Sequence, residues 1–395
     1  MIKITVFTDA HFGFSINEET ENDSYELVEE IAKNNKNSDI IIICGDIFHT
    51  RNPKIKIVEK AISSLKNFLE IPSKVKLVET DKEIDNLKLR SIEKYIPIIT
   101  INGNHDRSYI GETSILDLMD EANLIINLNS NYIIFEKDGQ KVSIFGMGNM
   151  PENIAKDYLY KNIKYFNDCI NILLIHQNIH PFTFYSQEYS LTMENLPRNF
   201  DLIINGHYHA FVNESIGKTK ILMPGSLITT QLKEGESNLE KSYINVYIDN
   251  GDIKIEKVGL KRYRKFFYLK FGINDDKEKI FNELNKVLNK EYIKKPIIKV
   301  VVEREKNEDF GYLAKEFSNK CILLTKTELI SKEKIIEVAS KENIESLFDF
   351  AIKKIKSNID DDEFPIKIEN LIKMLEDKDS IEKIINILMN KQKTL

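Results

Sequence analysis

At 395 residues, 42% hydrophobic and 30% charged, the chain has the profile of a soluble globular protein of two or three domains. Its formal charge of −6 gives no bulk attraction to nucleic acid, so any such binding has to come from local basic patches. Cys44, Cys169 and Cys321 are scattered with no CxxC pair, which argues against a disulfide framework and a thiolate-bound zinc.

The opening "MIKITVFTDAHF" reads as a first strand (Ile2, Ile4, Val6) rather than a signal peptide, because Thr5, Thr8 and Asp9 interrupt the apolar run. No apolar run approaches the ~18 residues that span a bilayer, so no membrane association is expected and the expected compartment is the cytoplasm. Tyr25, Val28, Ile31 and Ala32 recur at helical spacing. A buried strand follows at 40–44, then a second amphipathic helix carried by Val58, Ala61, Ile62, Leu65, Phe68 and Leu69. Further buried strands are predicted at 98–101, 142–145, 172–175 and 202–204. Such alternation specifies an α/β layered domain over residues 1–260.

After "KRYRK" at 261–265, a charged linker in this reading, strands at 266–271, 297–302 and 321–325 alternate with two helices. They make a small α/β domain over 261–330. Residues 331–395 carry only helical stripes, including one through Ile368, Leu371, Ile372 and Leu375 and another through Ile381, Ile384, Ile385 and Leu388.

The chemistry lies in the histidines. Six of the seven sit just beyond a strand-like run, most beside another polar group: Asp9 and His11, Asp46 and His49, Asn104 with His105 and Asp106, then His176, then His207 and His209. One Asp-x-His recurs by chance, and a lone histidine at a strand end is more often a satisfied hydrogen-bonding residue than a ligand. Five such groups at equivalent topological positions are different, because strand C-termini along one edge of an α/β sheet converge on a crevice. Carboxylate, imidazole and amide donors without thiolate suit Mn²⁺, Mg²⁺, Fe²⁺ or Zn²⁺. Seven ligands exceed what one ion needs and suit two ions about 3.5–4 Å apart, the arrangement used for in-line displacement at phosphorus.

The series D-x-H, G-D-x-x-H, G-N-H-D, H, G-H-x-H resembles the calcineurin-like metallophosphoesterases, whose fold is a two-sheet αββα sandwich. "CGDIFH", "GNHDRS…SILDLMDEANL", "LIHQN", "NGHYH" and "MPGSL" are similar to the SbcD-type DNA repair nucleases, the meiotic recombination eleven family, over residues 1–330. The resemblance implies one manganese ion on Asp9, His11, Asp46 and His209, and a second on Asp46, Asn104, His176 and His207, with Asp46 bridging. It implies that His105 stabilises the transition state or protonates the leaving 3′ oxygen, with His49 beside it orienting either His105 or the scissile phosphate. Also implied are duplex DNA ends as substrate, a DNA-binding cap at 261–330, a homodimer through helices at 54–69 and 114–123, and an SMC-like coiled-coil ATPase (SbcC or Rad-fifty type). The helical 331–395 region is the candidate docking segment for that ATPase, the alternative being packing on the chain's own small domain.

Arg51, Lys54 and Arg107 closely follow motif residues and would flank the crevice as DNA-phosphate contacts, against the alternative of a solvated surface. The stretch at 74–95 is surplus to the family pattern and reads as an inserted helix or hairpin, while His180 fits no motif. Two rival functions stay in view: hydrolysis of small phosphodiesters or nucleotides, and a non-catalytic scaffold for the ATPase at DNA ends.

Overall fold

The computed structural model of the chain describes residues 1–108, 112–182, 191–305 and 308–329. The helical stripes predicted beyond 331 lie outside the described residues.

In chain order the elements begin with β1 (Ile2–Phe7), α1 (Asp23–Asn34), β2 (Ile40–Ile43), α2 (Ile55–Lys66), β3 (Lys76–Thr80), α3 (Asn86–Lys94) and β4 (Ile98–Thr100). Next come α4 (Ile115–Glu121), β5 (Ile126–Asn127), β6 (Tyr132–Lys137), β7 (Gln140–Met147), α5 (Glu152–Lys161), β8 (Ile170–Ile175), β9 (Ile179–His180) and β10 (Leu191–Thr192). There follow β11 (Leu202–Asn205), β12 (Val212–Ile216), β13 (Thr219–Met223), β14 (Ser242–Asp249) and β15 (Asp252–Gly259). The last are β16 (Phe266–Phe271), α6 (Lys277–Leu288), β17 (Ile297–Arg304), α7 (Gly311–Glu316) and β18 (Ile322–Leu329).

Two sheets carry the body, in the orders β15-β14-β1-β2-β4-β5 and β12-β13-β11-β8-β7-β6-β3. β1 and β2 run parallel, with Val6 opposite Ile42, and read as unbroken apolar runs because both faces of their sheet are covered. Along β1 alternate side chains serve different layers. Ile2, Ile4 and Val6 face the second sheet's Ile144, Ile172, Leu174 and Ile204, while Phe7 packs outward with Leu27 and Ile31 of α1 and Leu65 of α2. The outer face of the second sheet is covered by Ala155 and Leu159 of α5. The result is the expected helix–sheet–sheet–helix sandwich. Truncating a sandwiched residue such as Ile42, fully buried, to alanine removes about 2–5 kcal/mol.

The surplus segment is neither a lone helix nor a hairpin. It adds β3 as the edge strand of the second sheet, antiparallel to β6, and then α3. Lys88 of α3, nearly buried, is held by the carbonyl and carboxylate of Asp120, which also pairs with Lys82 at 2.7 Å.

Strands β16, β17 and β18 form a separate sheet packed by α6 and α7 through Phe271, Ile280, Leu284, Val300 and Leu313. The expected charged linker "KRYRK" is strapped down by ion pairs and backbone hydrogen bonds. Arg264 pairs with Asp23 at 2.6 Å and donates to the Lys295 and Glu19 carbonyls, and the Glu30 carboxylate accepts the Lys261 and Arg262 N–H groups. Among the described residues, no helix is long and apolar enough to cross a membrane.

Candidate active site

The predicted residues sit on loops at the C-terminal ends of five strands, but these belong to two sheets rather than one. β1, β2 and β4 of the first sheet bring Asp9, His11, Asp46, His49, Asn104 and His105; β8 and β11 of the second bring His176, His207 and His209. The loops are zipped backbone to backbone: Asp9 N–H donates to Gly45 O (3.1 Å), His11 N–H to Asp46 O (3.0 Å) and Phe12 N–H to Ile47 O (2.7 Å).

Close approach of the two sheets needs glycine. A Cβ on Gly45, whose φ is +85°, would come 2.3 Å from His176 Nδ1, and one on Gly206 would come 2.2 Å from Cys44 O. Asp9, His11, Asp46 and His207 themselves take positive φ of 51°, 48°, 49° and 72°. Such conformations cost a non-glycine residue of order 1 kcal/mol or more and persist where the surroundings over-determine them. Asp and His tolerate this region better than most residues, and it is used here to turn side chains back over the sheet ends.

The side chains converge on two adjacent points. At the first, Asp9 Oδ1 lies 3.8 Å from His11 Nε2 and 3.7 Å from His209 Nε2. At the second, Asp46 Oδ2 lies 3.3 Å from His176 Nε2, with His207 in the same group. Asp46 Oδ2 is also 4.0 Å from His11 Nε2, so one carboxylate oxygen faces both points. His207 Nδ1 stands 2.9 Å from Asn104 Oδ1, which brings the predicted amide into the second group.

The outward-facing atoms of these side chains are already engaged. Asp9 Oδ2 accepts from Thr8 Oγ1 (2.6 Å) and His207 N–H (3.1 Å), and Asp46 Oδ1 accepts from His105 N–H (2.8 Å). His176 Nδ1 donates to Cys44 O (2.9 Å). Asn178 Nδ2 donates to Glu152 (2.8 Å), which turns Asn178 Oδ1 to accept from His207 Nε2 (2.9 Å). Asp9 Oδ1, both His11 nitrogens and His176 Nε2 are buried and find no hydrogen-bond partner among the described residues. Buried polar atoms are rarely left this way, and bare oxygens and imidazole nitrogens aimed at a common point fit a divalent cation.

Electrostatics agrees. Burial pushes the Asp9 carboxyl up and holds His11 well below the usual imidazole range. Burial, with the neighbouring His176 charge, pushes His207 down to about 3, which leaves a neutral imidazole. Burial works against the His176 charge, but the Asp46 carboxylate beside it wins and raises the imidazole to about 9. A cation bound between Asp46 and His176 would compete with that proton for the same gap.

His105 and His49 stand together at the edge. Their rings are stacked at 5.3 Å between centroids, and His105 Nδ1 donates to the His49 carbonyl (2.7 Å). His11 is 5.1 Å from His105 and 5.4 Å from His49, ring to ring, so these three imidazoles form a further potential metal-holding group. Asp106 is the anchor below: fully buried, it accepts from Ile47, Phe48 and Gly103 N–H groups at 3.0–3.1 Å. Burial and the Asp46 charge push its carboxyl up to about 7.

Arg51 and Lys54 are exposed and Arg107 half-buried on the loops after β2 and β4. His180 pairs across β9 and β10 and joins none of the three groups. Sequence reasoning missed Asn178 and Glu236. Asn178 lies two positions past His176, within a quoted motif; Glu236, hydrogen-bonded to His209 Nδ1, sits in a charged turn that nothing local marks.

Residues 2–211 match the family model described as calcineurin-like phosphoesterase. The double-strand break repair protein mus-23 of Neurospora crassa is 27% identical over 336 residues, covering 76% of this chain and 44% of its own length. The double-strand break repair protein MRE11 of Homo sapiens is 25% identical over 304 residues, 67% of this chain and 42% of its own. The chain thus spans less than half the length of these curated relatives. Among solved structures, a novel archaeal phosphodiesterase aligns at 14% identity over 66% of this chain and 100% of its own, with a TM-score of 0.32. With the family model matching more than half its residues, and with two carboxylates and a ring of imidazoles meeting across the sandwich, the chain belongs to the calcineurin-like phosphoesterases.

Proposed function

We propose that the chain is a metal-dependent DNA nuclease of double-strand-break repair, hydrolysing phosphodiester bonds at two adjacent divalent ions. The observation that carries the reading is Asp46 Oδ2, which faces His11 on one side and His176 on the other and so suits a bridging ligand. Asp9, His11, Asp46 and His209 would hold one ion, and Asp46, Asn104, His176 and His207 the other. The donor set, oxygen and imidazole with no thiolate, suits Mn²⁺, Mg²⁺, Fe²⁺ or Zn²⁺, and the family resemblance favours Mn²⁺ among them. Bound there, the ions supply the Lewis acidity that in-line displacement at phosphorus needs.

The chain's own residues do the rest. The His49 carbonyl fixes the Nδ1–H of His105 and leaves Nε2 to hand a proton to the leaving 3′ oxygen, or to meet the charge that builds on the transferring phosphoryl group. Burial, with the adjacent His105 charge, pushes the His49 imidazole down, so His49 stacks on His105 as a neutral ring and orients it. Arg51 and Arg107 flank the crevice as phosphate contacts. DNA as substrate is supported by the names of the curated relatives, both double-strand break repair proteins.

The same resemblance extends the proposal to an SMC-like ATPase partner at 331–395, a DNA-binding role for 261–330 and a homodimer. The homodimer rests on that resemblance; on the two helices it implicates, Ile55 of α2 (88% exposed) and Leu118 of α4 (58% exposed) are apolar and face solvent. The test is digestion of linear duplex DNA with Mn²⁺ against Mg²⁺, wild type beside His105→Ala. Mn²⁺-dependent cleavage lost in the variant is expected. No cleavage by wild type, alone or with its ATPase and ATP, would refute the reading.

A further inference from the structure

The histidines whose rings are held from behind at the two candidate cation points, His176, His207 and His209, do not have equivalent supports. His176 donates to a backbone carbonyl and His207 to the Asn178 amide, both neutral acceptors. His209 donates to a carboxylate, that of Glu236. Glu236 lies in the turn Glu234–Glu236 after β13, yet it is 6% exposed, with its carboxylate brought in against the imidazole. A carboxylate only accepts, so Nδ1 of His209 keeps the proton and Nε2 presents its lone pair, 3.7 Å from Asp9 Oδ1.

We propose that Glu236 is a positioning residue that locks the ring and tautomer of His209 and thereby sets the affinity of the cation position formed by Asp9, His11 and His209, leaving the other position unaffected. This rests on reading those three residues as a cation-holding set. A carboxylate behind an imidazole fixes its orientation and raises its basicity as a ligand. The charged Glu236 carboxylate is favoured electrostatically by nearby Lys241, which is 2% exposed and donates to Ser226 Oγ at 2.8 Å. The same short segment brackets the position through its backbone, Ser226 N–H reaching His209 O at 3.2 Å and Leu227 N–H reaching Asp9 O at 3.3 Å. Glu236, Lys241 and Ser226 thus form a support that belongs to one of the two positions.

The experiment is Mn²⁺ titration of the full chain by calorimetry and electron paramagnetic resonance, for wild type, Glu236→Gln and Glu236→Ala. Wild type is expected to take two ions. Glu236→Ala should weaken one of them by roughly 10–100-fold and leave the other within about twofold, with Glu236→Gln between, because the amide oxygen still accepts the bond without its charge. In ¹⁵N spectra of the imidazoles, the protonated Nδ1 of His209 should lose its fixed signal in the alanine variant and keep it in the glutamine variant. Two ions held by Glu236→Ala at wild-type affinity would overturn the proposal. So would equal loss of both ions together with a lowered melting temperature in chelator, which marks a general structural role. A wild type that binds no Mn²⁺ would instead overturn the reading of the site itself.

Discussion

Asp106→Ala isolates what holds the two central loops together. Three buried N–H groups, from Ile47, Phe48 and Gly103, end on this one carboxylate at 3.0–3.1 Å. Removing the acceptor strands all three, at about 1–3 kcal/mol each. Some of that is returned, because Asp106 repels Asp46 and is costly to bury, as its raised carboxyl shows. Partial relaxation returns more, so the net expected loss is about 3–5 kcal/mol. The same change frees the backbone under Asp46 and Asn104, so Mn²⁺ affinity should fall as well. Urea unfolding followed by circular dichroism reads the first effect, and Mn²⁺ calorimetry on the folded variant reads the second. A loss below about 1 kcal/mol with Mn²⁺ binding unchanged would show that the loops keep their places without Asp106, and the reasoning would be wrong.

Gly206→Ala forces a Cβ to within 2.4 Å of His176 Nδ1 and 2.6 Å of Thr8 Oγ1, so the sheets must part; equilibrium dialysis should find Mn²⁺ binding lost or sharply weakened. His105→Ala should cut nuclease turnover by about 10²–10⁴-fold while Mn²⁺ stoichiometry stays the same, and His49→Ala should act in the same direction but less. Raising free Mn²⁺ to about 100 times its dissociation constant should stabilise the fold by about 2.7 kcal/mol per ion, seen as a higher melting temperature that a chelator reverses. Burial pushes Lys241 down to about 8. The unfolded chain, with an ordinary lysine, then holds more protons between about 8 and 10.5, so this residue makes stability rise with pH across that window. Subtracting the stability–pH curve of Lys241→Met should reveal that rise; a difference curve flat above pH 8 would contradict it.

Local pattern was enough to place the strands that carry the chemistry. Unbroken isoleucine runs such as 40–43 can only be buried on both faces, and a polar residue after such a run is at a strand's C-terminal end. Pairing was not legible. β1 has β14 as its antiparallel neighbour, with Thr5 opposite Asn245, a contact no local signal announces. For the same reason one sheet edge stood in for two, and only the structure shows that His176 reaches Asp46 from across the sandwich. The chain turns after β4 across Asn104 to Asp106, closed by Asp106 N–H donating to Gly103 O at 3.3 Å, and neither Asn102 nor Gly103 takes the positive φ of an Asn-Gly hairpin turn. The four residues after Gly103 serve four directions. Asn104 meets His207, His105 the His49 carbonyl, and Asp106 the backbone, with Arg107 left at the rim. Glu236 escaped because its partner is 27 positions away, and a glutamate in a charged turn looks like any other.

The order of the ligands along the chain has a consequence for biosynthesis. Each of the two cation points draws on the loop after β11, through His209 for one and His207 for the other. A ribosome that has delivered only the first two hundred residues has made five of the ligand-bearing groups' seven members but neither complete set. The centre therefore closes late, once the second sheet has been laid against the first, and the last piece to arrive is the turn bearing Glu236. A chain built this way has no assembled centre while unfinished, and if the proposed function holds, truncated products ending before residue 205 should neither bind Mn²⁺ as the whole chain does nor nick DNA.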